Sequence, residues 1–248
     1  MNEATVSSAA APRGWIRYLA PNTVTIGSIV IGWAAIVACV RGDARLAAWI
    51  GLWAVFTDRL DGLLARALNA QSEIGVQLDS LADLVSFGVA PAVVAFATFR
   101  DNGWRWWVLA ICCGFHLCCA AFRLARFNVR AASGAHDEYS GFPTTLIACL
   151  IYTFLLSLPD AQRIGWTGLQ GFAPLVLPVC ALGMIVPLRV PRLGRPRFRA
   201  LVPVLALVVV TAVTLVAVRR YPEYGLVCCL YWVVMAFVHH LRTRTRKA

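Results

Sequence analysis

Eight apolar runs, sixteen to twenty-four residues long and separated by arginine-bearing or Pro/Gly breaks, constrain this chain more than any other feature of its sequence. They fall at 22–40, 46–66, 76–99, 104–126, 143–158, 168–188, 199–218 and 222–241. A helix needs roughly 20 predominantly apolar residues to cross the ~30 Å hydrocarbon core of a bilayer. Backbone polar groups in lipid must be paired within the segment, which an α-helix achieves. Composition agrees: 60% of residues are apolar, mean hydropathy is +0.70 and only 14% are charged, against about 25% charged in a soluble domain. The sequence predicts an all-α, polytopic transmembrane bundle of about eight spans. It excludes a secreted disulfide scaffold, a disordered chain and an ordinary cytosolic enzyme. The fifth run is the shortest, and the Gly/Pro-rich sixth is expected to be bent or partly re-entrant.

Arginine placement sets the orientation. An even number of spans leaves both termini on one side of the membrane. Sixteen of the 23 basic residues fall on that side and seven on the other, so the positive-inside rule predicts that both termini are cytoplasmic. The net charge of +11 thus reflects topology, and nucleic-acid binding is not expected. Trp104, Trp106 and Trp107 open the fourth run at the opposite interface, as an aromatic belt does. Residues 1–17 lack the apolar stretch of a cleaved signal, and no processing is expected. The nine cysteines lie inside apolar runs without metal-site spacing, so they are expected to pack as small apolar residues. His116 is expected to be a packed, hydrogen-bonded core residue and His136 a solvated one. The arginines of Arg189–Arg199 are expected to meet anionic headgroups.

The carboxylates are few and concentrated. Of twelve, five (Asp58, Asp61, Glu73, Asp79, Asp83) fall within 26 residues at the junction of the second and third runs. Four are aspartates in otherwise apolar sequence. An aspartate at a membrane helix centre costs about 2.5–3.5 kcal/mol, so four cost roughly 10–14 kcal/mol, less near the interface. Nothing structural requires them, and intramembrane ionisable residues mark function by default. Asp58 and Asp61 are spaced i,i+3, and Asp79 and Asp83 i,i+4, so each pair shares one helix face. A short polar turn, roughly Leu68 to Glu73, folds the two helices into a hairpin on which the pairs can converge. Four carboxylates that close repel one another unless cations neutralise them. All-oxygen ligation suits Mg²⁺ or Mn²⁺, and two divalent ions balance four aspartates. Paired metals are a recognised device for phosphoryl transfer. Gly62, Ala65 and Gly75 leave helix faces bare for a ligand, or for helix packing. Arg66 is placed to neutralise a phosphate at the cytoplasmic end, or to serve topology or a salt bridge.

The stretch from Asp58 to Asp83 resembles the signature of the CDP-alcohol phosphatidyltransferase family, D-x2-D-G-x2-A-R-x8-G-x3-D-x3-D. Asp58, Asp61, Gly62, Ala65, Arg66, Gly75, Asp79 and Asp83 match its eight fixed positions. The resemblance implies a helical membrane enzyme that moves a phosphatidyl group from a CDP-linked lipid to an alcohol and releases CMP. It implies that Asp58, Asp61 and Asp79 hold metal, and that Asp83 contacts metal and acts as general base. It places Asn22 and Thr25 toward the cytidine, and Gly62, Ala65, Arg66 and Gly75 in the CDP-lipid site. A homodimer is implied by the family alone.

Residues 78–92, Arg123–Asn128 and Pro21–Ser28 are similar to the membrane-type, serine-using branch of the family. That likeness implies CDP-diacylglycerol and L-serine as substrates. The resemblance covers roughly residues 15–150. The family's G-L-P-x-P turn is here Gly141-Phe142-Pro143-Thr144-Thr145, with the leucine changed and the second proline missing. Arg123, Arg126 and Arg130 lie at i, i+3 and i+7 on one helix face, and arginine suits planar carboxylate or phosphate recognition. Each alone reads equally as topology. Ser86 and Asn128 are candidates to complete that acceptor pocket. The expected organisation is a cytoplasmic segment 1–20, one transmembrane catalytic domain 21–241 with the site on the hairpin 46–99, and a basic cytoplasmic tail 242–248. The protein is expected to be multi-pass in the cell (inner) membrane with its site facing the cytoplasm. The alternatives are the same chemistry with glycerol phosphate, inositol phosphate or choline as acceptor, and, remotely, a cation transporter, for which no inverted repeat is visible.

Overall fold

The computed structural model describes residues 15–67, 73–132, 141–163, 171–186 and 222–245. Every element among the described residues is helical, with no strand. Helix α1 (Trp15–Val40) reverses into α2 (Ala44–Ala67) through a turn written in the sequence Val40-Arg41-Gly42-Asp43. Gly42 takes φ +90°, the left-handed conformation that glycine adopts without penalty. Its N–H and that of Asp43 return to the carbonyls of Cys39 and Ala38, both at 3.0 Å, closing the end of α1. Asp43 Oδ1 then accepts the Leu46 N–H at 2.8 Å and caps the start of α2. The two helices meet through small side chains: Ala35, Ala38 and Cys39 on α1 and Ala47, Ala48, Gly51 and Ala54 on α2 are all buried. Small residues let backbones approach closely, the packing that drives helix association where lipid supplies no hydrophobic force.

The third apolar run is one unbroken helical stretch of three parts: α3 (Glu73–Asp83), a π-helical turn (Leu84–Val89) and α4 (Ala90–Asp101). Then come α5 (Trp106–Ala132), α6 (Thr144–Arg163), a 3₁₀ turn (Ala173–Leu175) leading into α7 (Val176–Ile185), and α8 (Pro222–Thr245). The π turn, α3 and α4 lie against α1, and α4 and the π turn also against α5. Helix α6 packs between α2 and α8, and α7 rests on α5. Tyr152, Phe87, Phe99, Leu52, Leu109 and Ile151 are the largest of the side chains sealed in the resulting core.

Two stretches, Ile74–Asp101 and Trp106–Arg130, are long and apolar enough to cross a bilayer, with 28 and 25 residues and mean hydropathies of 1.8 and 1.9. They fit a membrane protein. The expected runs reappear with shifted ends. Helix α1 begins at Trp15 rather than 22, and α5 runs six residues beyond 126. The added turn of α5 holds polar residues that bond to neighbouring helices, so its reason for being helical is not apolar. Within the described part of the sixth run, 171–186, the helix with its 3₁₀ lead occupies Ala173–Ile185, about 20 Å at 1.5 Å per residue. Pro174 and Pro178 lack the N–H that an interior helix position needs, so they start the helix rather than continue one. At the other end Val186, which precedes Pro187, is extended at ψ 131°. The run expected at 199–218, the arginine-rich segment 189–199 and the loop with His136 lie outside the described residues.

The cysteines are free thiols, and six of the nine are buried. His116 is fully buried as expected. Neither of its ring nitrogens has a hydrogen-bond partner of good geometry, although the Phe87 backbone approaches the ring. Trp106 and Trp107 point outward, and the Arg105 guanidinium lies 5.7 Å over the Trp107 ring. Replacing the capping aspartate, Asp43→Ala, should cost about 1 kcal/mol of stability. The expected result is an earlier unfolding transition in detergent with turnover per folded molecule unchanged, since Asp43 lies at the end of α2 remote from Asp58.

Candidate active site

Helix α2 carries Asp58 about four turns from its capped start. Helix α3 carries Asp79 and Asp83 one turn apart on one face. Oxygens from the three carboxylates lie within 4.8 Å of one another. Asp58 and Asp83 are half-buried and Asp79 is exposed. Asp58 and Asp83 are also close enough for their carboxyl groups to share a hydrogen bond. Three hard oxygen donors at this separation are a set that can ligate a divalent cation. A cation there removes the mutual repulsion that three carboxylates otherwise suffer in a weakly screening interior.

The remaining signature positions, Asp61, Gly62, Ala65 and Arg66, continue α2 beyond Asp58, but their side chains lie outside the described residues. The same holds for the Asn22 side chain in α1. Gly75 sits one turn before Asp79 on α3, half-buried. Thr25 is buried on α1.

Helix α5 supplies the cationic wall, and here the three arginines part company. Arg123 is near enough to Asp83 to act on it electrostatically. Its Nη1 donates to Thr144 Oγ1 at 3.3 Å, while its buried Nε has no partner in the structure. Arg126 turns elsewhere: Nη1 donates to the Ile185 carbonyl at 3.0 Å and Nη2 to that of Met184 at 3.3 Å. It therefore closes the C-terminal end of α7, where helix carbonyls lack partners and carry partial negative charge. Arg130 lies half-buried a turn further on, near enough to Arg126 to oppose its charge. An i,i+3 step leaves side chains offset by about 60° around a helix, enough for long arginines to reach different neighbours.

Two other candidates are engaged inside the protein. Asn128 Nδ2 donates to Ser80 Oγ at 2.9 Å and to Gln77 Oε1 at 3.3 Å, pinning α5 to the helix that bears Asp79 and Asp83. Ser86 is fully buried and its hydroxyl donates to the Ser28 carbonyl at 3.0 Å. The turn before α6, where the family pattern is altered, adjoins the cationic wall. Gly141 takes φ +69°, and a Cβ there would lie 2.3 Å from the Met184 carbonyl oxygen. The Phe142 N–H bonds Gly183 O at 3.0 Å, so this turn and Arg126 hold the same end of α7. Thr144, the partner of Arg123, was not visible as a functional residue in the sequence. Its partner lies 21 residues away, and no spacing rule links them.

A family model described as CDP-alcohol phosphatidyltransferase matches residues 18–187. The chain is also similar to several curated proteins named CDP-diacylglycerol–serine O-phosphatidyltransferase. It is 32% identical to that of Helicobacter pylori over 139 residues, 56% of this chain and 58% of the relative. It is 35% identical to that of Mycobacterium tuberculosis over 136 residues, 53% of this chain and 46% of the relative. For Bacillus subtilis the figures are 32% over 151 residues, 60% of this chain and 83% of the relative. The chain thus spans about half the length of the first two of these relatives. Purified protein should bind Mn²⁺ with a bound-ion electron paramagnetic resonance signal, and Asp79→Ala or Asp58→Ala should weaken that binding at least ~10-fold. Unchanged affinity in both variants would show that the carboxylate cluster is not the metal site.

Proposed function

This chain belongs to the CDP-alcohol phosphatidyltransferase family, and on that premise we propose that it transfers the phosphatidyl group of CDP-diacylglycerol to L-serine with release of CMP. The observation that carries this reading is the convergence of Asp58, Asp79 and Asp83 from two helices, with the Arg123 guanidinium near enough to Asp83 to act on it electrostatically. The names of the relatives support serine as the acceptor.

In this reading Asp58, Asp61, Asp79 and Asp83 hold two divalent cations, Mg²⁺ or Mn²⁺. Bound there, the cations supply charge neutralisation for the diphosphate and for the departing CMP. Asp83 keeps an oxygen available for the serine hydroxyl. It accepts the hydroxyl proton as the oxygen attacks the phosphorus that bears diacylglycerol, and the bond from that phosphorus to the CMP oxygen breaks. Asn22, Thr25, Gly62, Ala65, Arg66 and Gly75 form the CDP-lipid site. Arg123 receives the serine carboxylate; of the three arginines on α5 it is favoured because a buried nitrogen remains for a ligand while Arg126 serves α7. Arginine suits a planar carboxylate through its rigid fork of donors.

The arginine distribution supports eight spans in the cell (inner) membrane with both termini cytoplasmic, one catalytic domain over 21–241, and a site facing the cytoplasm, where serine and the nucleotide are found. A homodimer is the assembly that family membership favours.

The deciding experiment supplies purified protein with CDP-diacylglycerol and an equimolar mixture of serine, glycerol phosphate, inositol phosphate and choline, with and without EDTA. Phosphatidylserine and CMP should form in equal amounts, and chelation should abolish both. A different phospholipid would reassign the acceptor, and no CMP with any alcohol would remove the reading. Asp83→Asn should leave CDP-diacylglycerol binding largely intact and lower kcat by about 10²–10⁴-fold, the usual scale for a general base. Arg123→Gln should raise the serine KM about 10-fold or more while that for CDP-diacylglycerol moves much less.

A further inference from the structure

Asp83 ends the regular part of its helix. It is the residue immediately before the π-helical turn Leu84–Val89, and its side chain makes no capping bond to that turn. A π turn spans i→i+5 and holds one residue more than the α-helix around it. Such turns are rare and appear where the surroundings over-determine them.

Here the surroundings are a chain of hydroxyls and carbonyls, buried at Tyr152, Ser86 and Ser28 and half-buried at Thr57. Tyr152 on α6 donates its hydroxyl to the Ser86 carbonyl, in the middle of the turn, at 3.2 Å. Ser86 Oγ donates to the Ser28 carbonyl on α1 at 3.0 Å. Ser28 Oγ donates to Thr57 Oγ1 on α2 at 3.5 Å, and Thr57 donates to the Ala54 carbonyl at 3.0 Å. Tyr152 and Ser86 are both fully buried. The chain therefore starts three residues past Asp83 and ends on the residue before Asp58, so it joins the two helices that bring the carboxylates together.

Close packing fixes the same geometry. A Cβ on Gly32 of α1 would lie 2.5 Å from Ser86 Oγ, and one on Gly51 of α2 would lie 2.2 Å from Tyr152 Cζ. Only glycine at these points lets α1 and α2 close on the strut. On an uninterrupted α-helix Ser86, seven residues from Asp79 and three from Asp83, would share the aspartate face. Here Ser86 lies within the wider turn, and its hydroxyl goes to the Ser28 backbone.

We infer that the hydrogen-bonded strut Tyr152–Ser86–Ser28–Thr57 and the π turn it clamps set the separation of Asp83 from Asp58, making Tyr152, Ser86 and Thr57 positioning residues for the phosphatidyl transfer. The inference rests on the transferase reading above. The test uses the full-length protein in detergent. Tyr152→Phe removes one hydroxyl and keeps the ring against Gly51; Thr57→Val removes the other end of the strut at constant shape, and Thr57→Ser restores the hydroxyl.

The expected result is a roughly 10-fold loss of kcat, counted per Mn²⁺-binding molecule, in Tyr152→Phe and Thr57→Val. KM for both substrates should stay within about twofold, the bound-Mn²⁺ spectrum should change, and Thr57→Ser should return to wild type on both readouts. A residue that only stabilised the fold would lower the yield of binding-competent protein and leave kcat per competent molecule unchanged. Wild-type kcat and an unaltered Mn²⁺ spectrum in Tyr152→Phe and Thr57→Val would overturn the inference alone. If the wild type releases no CMP with any alcohol, the transferase reading fails. The Mn²⁺ spectra then decide the strut by themselves, altered spectra supporting it and unaltered spectra overturning it.

Discussion

Three carboxylates held within 4.8 Å of one another, two of them half-buried in an apolar helical bundle, are the constraint to which the rest of this structure answers. Like charges so placed push their helices apart, and low dielectric strengthens the push. Holding Asp58 of α2 beside Asp79 and Asp83 of α3 therefore calls for neutralisation of the cluster and for restraint from outside it. The restraint comes from both flanks: Asn128 ties α5 to the aspartate-bearing face of α3, and the Gly51–Tyr152 contact lets α6 press on α2.

These restraints share a physical character. Inside a membrane, packing of small side chains and interhelical hydrogen bonds replace the hydrophobic effect as the source of association. The alanines of α1 and α2 provide close approach, while Ser28, Thr57, Ser86 and Tyr152 provide direction. Apolar packing alone tolerates sliding by a fraction of a turn. A chain of buried donors and acceptors does not, because each group left without its partner carries a desolvation cost of about 1–3 kcal/mol.

Much of this was legible beforehand, and the reason is period. Runs of apolar residues announce helices, and the i,i+4 spacing of Asp79 and Asp83 announces a shared face, since both depend only on local geometry. The turn at Gly42-Asp43 is equally local. What local pattern cannot carry stayed hidden. The π turn leaves no trace in hydropathy, because inserting a residue in a uniformly apolar stretch changes no average. Arg123, Arg126 and Arg130 look alike along the chain, and only the neighbours, Thr144 for one and the end of α7 for another, separate them. In the sixth run the Gly/Pro content announces an irregular segment, but only the fold gives its form, a 3₁₀ turn leading into α7.

Helix α7 ends under a double clamp, from Arg126 on one side and the Gly141–Phe142 backbone on the other, and the family match stops at residue 187, one position past its extended Val186. The coincidence describes a module with a sealed edge. Among the described residues, the bonds traced above between the helices that carry the carboxylates are made before that edge, whereas α8 beyond it has α6 as its main partner. Such an arrangement separates two rates of change. The described helices up to the clamp hold the carboxylates, and α8 after it is answerable mainly to its packing on α6. Lineages can then lengthen, shorten or exchange their C-terminal portions while the reaction centre stays the same.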